Sequence, residues 1–295
     1  MTRRTGVVTA LVIGAALVAT PPALADPGTG SVDPVVLPAG DAVTPPIDCA
    51  AGSRPVVVLP GADGTVADTA EQWATVTDVL RGSGLCPLVF QGGVVNGKRW
   101  AGNIPDEAGQ LATFVRSVQD ATGSSTVDIV AHSAGSVVSN YYLKVLHGSA
   151  NVTRAVFLAP EGRDCDGAGF LAAYGIDNLP VTPVEVLQAL PVLPPILGRL
   201  SPDLAVALQL APGSEVHGAV FADGTPITQP GVTYAVLATA NDGVATPAGG
   251  CSFIDEPGVT NVLFEDAYPN ASAVDHSTLR SSPEAASWVV AQLGR

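Results

Sequence analysis

Residues 127–138, VDIVAHSAGSVV, constrain the fold more than any other stretch of the chain. A short β-branched run gives way to small residues and then to a helical pattern that ends at His147-Gly148. Strand, tight turn and helix in that order suit a parallel sheet, where the chain leaves a strand and folds back over its face. Ala131 and Gly135 stand two residues before and after Ser133, so strand and helix can approach without clashing. The serine is then forced into a strained turn with its hydroxyl above the strand end. In a chain this rich in Ala and Gly the pattern [AG]-x-S-x-G says little alone. Its weight comes from what flanks it.

The flanking segments repeat the alternation. RPVVVLP (54–60) reads as a buried parallel strand, continuous in β-branched residues and bounded by prolines. Thr69 to Gly84 reads as a helix with Trp73, Val76, Val79 and Leu80 on one side, and CPLVF (86–90) as the next strand. A Gly-rich loop runs through Trp100, followed by a helix from Pro105 to about Ala121 with Asp106 and Glu107 in its first turn. VTRAVFLAP (152–160), VTYAVLATA (232–240) and TNVLFED (260–266) supply further strands, and Pro283 to Gly294 a closing helix. The expectation is an α/β domain over 54–295, with a mostly parallel central sheet and helices on both faces. Residues 161–230 break the rhythm with LPVTPVEVLQALPVLPPILGRLSPDLAVALQLAP, apolar and interrupted by seven prolines. They read as short helices joined by rigid turns, inserted as a cap or an acyl-sized pocket.

The start of the chain has a separate meaning. MTRR, an apolar stretch from Gly6 to Val18 and Ala23-Leu24-Ala25 describe a secretory signal peptide, residues 1–25, too short for a stable span. Residues 26–53, rich in Pro, Gly and Asp, read as an extended arm. The expected location is extracellular or cell-envelope associated, with no stable membrane anchor. The net charge of −14 becomes more negative by two once Arg3 and Arg4 leave, which disfavours nucleic acid and anionic membranes as partners. Four cysteines in an exported chain read as two disulfides, and of three pairings we expect Cys49–Cys86 and Cys165–Cys251. No Cys-x-x-Cys or Cys–His spacing suggests a metal.

A serine nucleophile needs a base, a carboxylate to orient that base, and an oxyanion hole. Four histidines exist. His132 is inside the turn, where its side chain should point away from Ser133, and His147 stands at a helix C-terminus. His217 falls in the insert and reads as a surface or cap residue. His276, in the loop between the last strand and the last helix, is the expected base. Asp242 follows VTYAVLATA at the C-terminal edge of its strand and is the expected orienting acid. Asp275 reads as a loop-stabilising acid and Asp223 as a turn residue. Asp255, Glu256, Glu265 and Asp266 read as a solvated acidic face rather than a calcium site. The oxyanion donors should be the Ala134 amide and one amide of PGADGT (60–65), with Ala62 preferred over Gly61 and Asp63. The Asp63 side chain should turn away, capping the following helix.

Several of these pieces together resemble the secreted class 2 triacylglycerol lipases of bacteria. They are PVVVLPGADGTVADTAEQWATV, VDIVAHSAGS followed by NYYLKVLHGSANVTRAVFLAP, then ATANDGVATP and GVTNVLFEDAYPNASAVDHSTL. The resemblance implies an α/β-hydrolase fold, ester hydrolysis, and Ser133, Asp242 and His276 as a triad, without a cofactor. The substrate would be a small-molecule or lipid ester. Pro60-Gly61 stands where the family has His-Gly, Ser136 where it has a second glycine, and Glu161-Gly162-Arg163 replaces its usual polar segment. Acyl transfer, or a catalytically silent binding fold, are the alternatives to hydrolysis.

Overall fold

The computed structural model describes residues 37, 39–50, 52–167, 169, 202–211 and 213–294. The chain divides into Met1–Asp33 and Pro34–Arg295, and every described residue belongs to the second unit. The expected signal peptide lies outside the described residues, as do part of the arm and much of the apolar insert at 161–230.

Six strands form one parallel sheet: β2 (Arg54–Leu59), β3 (Leu85–Val89), β5 (Val127–His132), β6 (Val152–Leu158), β7 (Thr233–Ala238) and β8 (Thr260–Leu263). Their spatial order is β3-β2-β5-β6-β7-β8. The order reverses between β2 and β5, which opens a crevice at the C-terminal ends of those two strands. Register places the segments that leave them side by side, since Val58 pairs with Val130 and Leu59 with Ala131.

Alternate residues of each strand enter different cores, as a pleated sheet covered on both faces demands. Val57, Leu59, Ile129, Ala131 and Phe157 pack with α3 (Ile104–Thr122) and α4 (Ala134–Asn140). Val56, Val58, Val130, Val156 and Leu158 pack with Trp73, Val76 and Leu80, and with Trp288 and Val289 of the closing helix Pro283–Gln292. Each fully buried Val or Leu contributes about 2 kcal/mol against exposure. This is the expected α/β arrangement.

Four local expectations need correction. The helix expected over 69–84 is two, α1 (Thr69–Gln72) and α2 (Ala74–Gly82), because Trp73 leaves helical geometry to bury its indole in the second core. The Gly-rich loop contains β4 (Gln91–Val94), paired antiparallel with β1 (Asp41–Val43) of the arm. Its glycines masked the strand, and one of them is obligatory: at Gly93, φ +57°, a Cβ would fall 1.8 Å from Glu107 Oε1. The last strand ends at Leu263, and Phe264–Ala267 turn into a helix with Glu265 and Asp266 in its first turn, where carboxylates suit the dipole. Lastly, His217 is buried against Phe221, with ring centroids 5.3 Å apart, and is no surface residue.

Both disulfides have the expected pairing, Cys49–Cys86 and Cys165–Cys251. The first fastens the arm to edge strand β3, which also carries Pro87. At the other edge, the Asn261 side chain of β8 pairs with both backbone groups of Ile254, accepting at 3.1 Å and donating at 2.8 Å. Among the described residues no helix is long and apolar enough to cross a membrane.

Candidate active site

The turn at Ser133 has the predicted strain. Its φ of 50° and ψ of −129° lie where a non-glycine residue rarely goes. Small neighbours make the turn possible: a Cβ on Gly135 would meet the Pro60 carbonyl oxygen at 2.5 Å and that of Leu59 at 2.8 Å. Ser136, in place of a second glycine, tightens the turn by donating to the Ser133 carbonyl from Oγ at 2.6 Å and from its amide at 2.9 Å. Ser133 is buried, at 7% exposure.

Asp242 and His276 meet directly. His276 Nδ1 donates to Asp242 Oδ2 at 2.9 Å. The other carboxylate oxygen accepts the amides of Val244 and Ala245, both at 2.8 Å, which fixes the plane of the acid. Burial opposes a charged imidazolium at His276, yet the Asp242 bond and charge, helped by Glu161 and Asp63, hold its pKa above 6.5. His276 is bound at the backbone to the turn of Ser133, because His132 Nε2 donates to the His276 carbonyl at 2.8 Å and the two rings lie 4.8 Å apart. No hydrogen bond joins Ser133 Oγ to His276 among the described residues. Such contacts are often long before substrate arrives.

His132 therefore faces away from Ser133, as expected, but has a supporting role that its sequence position did not disclose. Burial lowers its pKa to about 3 against the pull of Asp63, so the ring is neutral and Nδ1 carries a bare lone pair. Asp63 does not cap a helix. Its Oδ2 accepts from Ser277 Oγ at 2.8 Å and Arg280 Nη1 at 2.5 Å. Burial works against that carboxylate, but His132, Arg280 and the Ser277 hydroxyl bring its pKa down to about 2.

The loop after β2 closes the site from the other side. A Cβ on Gly61 would sit 3.0 Å from Ser133 Cβ, so the loop touches the serine. Neither the Ala62 nor the Ala134 amide has an acceptor among the described residues. Arg99, missed in the Gly-rich stretch, holds this loop through the carbonyls of Gly61 at 3.1 Å and Thr65 at 2.9 Å. Trp100 Nε1 donates to the Pro60 carbonyl at 2.7 Å. Only an aromatic and a basic residue side by side hinted at either contact.

Of the acidic face expected at 255–266, Asp255 and Asp266 are exposed as expected, whereas Glu256 and Glu265 are half-buried and hydrogen-bonded. Glu265 accepts from Thr239 Oγ1 at 2.5 Å, the Ala240 amide at 2.9 Å and Asn241 Nδ2 at 3.1 Å, bracing the turn that carries Asp242. Glu256 accepts the amides of Ile227 at 2.7 Å and Thr228 at 2.9 Å. Asp275 and Asp223 serve their turns as expected, accepting the Thr278 and Thr225 amides. Glu161 lies near His276 and Asp242, and burial first, then Asp242, raises its pKa to about 7, with His276 opposing. Among the described residues the one group with metal-like donor spacing is Glu161 with Cys165 and Cys251, whose sulfurs are already bonded to each other.

A parallel sheet with a strained serine turn at its reversal point, and an Asp–His pair on the loops beyond later strands, is the arrangement of the α/β-hydrolase fold. Over residues 53–157 the sequence matches the family model of lipase (class 2). Lipase B of Aspergillus fumigatus is similar in structure, with TM-score 0.58, 14% identity, and coverage of 83% of this chain and 53% of that one. The chain thus spans about half the length of that lipase. An epoxide hydrolase of Vigna radiata superposes with TM-score 0.53 at 14% identity, over 86% of this chain and 98% of its own. A Pyrococcus furiosus esterase does so with TM-score 0.50 at 17% identity, over 83% and 82%. Likeness at such identity establishes the fold.

Proposed function

We propose that this protein is an exported hydrolase of lipid-like carboxylic esters that works through Ser133, His276 and Asp242. In this reading His276 Nε2 takes the Ser133 proton as Oγ attacks the ester carbonyl carbon. The negative oxygen of the tetrahedral intermediate lies against the Ala134 and Ala62 amides. The carbonyl re-forms, the alkoxide leaves with the proton from His276, and Ser133 retains the acyl group. Water, deprotonated by the same imidazole, then attacks the acyl-enzyme and releases the acid. Asp242 keeps Nδ1 protonated and aimed, which leaves Nε2 free to accept. The chemistry needs no cofactor.

The observation that carries the reading is the buried Asp242–His276 bond over the strained turn of Ser133. Export is supported by the leader-like residues 1–25 and by two disulfides, which persist in oxidising compartments. A lipid-like acyl group is supported by the apolar insert and by the class 2 lipase match. The test is hydrolysis of p-nitrophenyl esters from acetate to palmitate by the mature oxidised protein and by Ser133→Ala. Activity that the substitution abolishes, and that rises with acyl length, is expected. Equal activity in both proteins refutes the assignment of Ser133, and a profile confined to acetate refutes the lipid-like substrate.

A further inference from the structure

Asp63 follows Ala62 in the loop after β2, yet its carboxylate turns inward and meets three other segments. Besides accepting from Ser277 Oγ and Arg280 Nη1, it lies with Oδ1 3.8 Å from Arg99 Nη2 and 3.9 Å from His132 Nδ1. Arg280 Nη1 also donates to the Ser277 carbonyl at 2.5 Å, which closes a ring around the residue next to His276. Both arginines are buried, and one carboxylate between two guanidiniums leaves the cluster with an excess of positive charge. A lone carboxylate here would oppose a developing oxyanion. Set between Arg99 and Arg280, it has two cationic partners and fastens the loop.

We propose that Asp63 is a positioning residue for ester cleavage, locking the loop that carries the Ala62 amide onto the segment that carries His276. Oxyanion donor and base then hold one spacing, although they come from opposite ends of the sequence. The inference rests on the roles given to Ala62 and His276 above. Breaking the lock frees the loop to shift, and misplacement of about 1 Å costs about 100-fold in rate.

The experiment compares Asp63→Asn, Arg280→Met and the double variant with wild type, using kcat and KM on one p-nitrophenyl ester across pH. Asp63→Asn retains the shape and removes the charge. Its kcat should fall by about 10- to 100-fold while KM changes by less than about twofold. The groups facing His276 are the carboxylates of Asp242, Glu161 and Asp63 and the neutral His132 ring. Loss of one carboxylate should therefore move the acid limb of kcat/KM to lower pH, a change that loosened packing alone does not produce. The double variant should lose no more than the worse single one, because both break the same contact. Should Asp63→Asn fail to fold by circular dichroism, Ser277→Ala removes one of the two Oδ2 bonds and should lower kcat alone. The proposal is overturned by a folded Asp63→Asn with unchanged kcat and acid limb, by additive losses in the double variant, or by an unchanged Ser277→Ala. Activity surviving in Ser133→Ala would instead refute the reading of the reaction itself.

Discussion

Glu107 is a carboxyl group that the fold keeps in its neutral form. It sits fully buried in the first turn of α3, with Oε1 accepting the Gly102 amide at 3.1 Å and Oε2 without a partner among the described residues. Burial raises its pKa from 4.5 to about 8, opposed by the Gly102 bond and aided slightly by Asp106. The folded-state pKa lies above the unfolded one, so its full contribution to stability is present below pH 4.5. Above that the unfolded chain releases the proton and the folded chain does not, and stability is lost progressively up to about pH 8. At pH 7 the loss is at most about 3 kcal/mol, at 1.36 kcal/mol per pKa unit. Glu107→Gln has no such proton to lose. Its amide brings a constant offset, which cancels when stabilities are compared between two pH values. Urea unfolding at pH 5 and pH 7 should show the variant gaining on wild type by about 2–3 kcal/mol over that interval. Parallel stabilities, equal within about 0.5 kcal/mol, would mean that the carboxylate finds a charged state in the fold, and would refute the reasoning.

The same geometry makes three further outcomes testable. Gly135→Val places its side chain against the Leu59 and Pro60 carbonyls, so thermal melting should show a loss of more than about 3 kcal/mol or no folded product. The rate of ester cleavage should fall as pH drops through the His276 pKa, with a midpoint above 6.5, because only the neutral imidazole can take a proton. In Asp242→Asn that midpoint should move lower, and a profile flat down to pH 5 would exclude His276 as base. Replacing both Cys49 and Cys86 by serine opens a cross-link of sequence separation 37. Denaturant unfolding should show a loss of about 4 kcal/mol at most by loop entropy, and no change would show that the arm does not need the bridge.

What the sequence revealed, and what it hid, divides along range. Buried parallel strands announce themselves as runs such as VVVL and VDIVA, because both faces are covered and every residue must be apolar. The Ser133 turn was legible because its sterics demand small residues at fixed offsets. His276 and Asp242, which meet in the structure, were singled out by elimination among four histidines and by position after a strand. Contacts made by polar residues over long separations were not legible. Arg99 reaches 38 residues back to Gly61, and Arg280 reaches 217 residues back to Asp63. No periodicity encodes such a pair, so Asp63 looked like a cap, and Glu265 and Glu256 looked like a solvated face. Gln91–Val94 was missed for a different reason: two glycines removed the β-branched signal, while the arm and the Glu107 carboxyl supplied the reason for a strand.

A parallel sheet can recruit a foreign strand only at its two outer members, and both outer strands among the described residues are spoiled as templates. β3 offers a proline in mid-strand, which has no N–H to donate, and is bolted to the arm through Cys86. β8 is four residues long, and its Asn261 spends its amide on the Ile254 backbone before the chain turns into a helix. A protein built this way can be concentrated, or partly unfolded at a surface, without presenting a long ladder for neighbouring copies to zip onto. The blunted borders lie away from Ser133, which stands at the C-terminal end of β5.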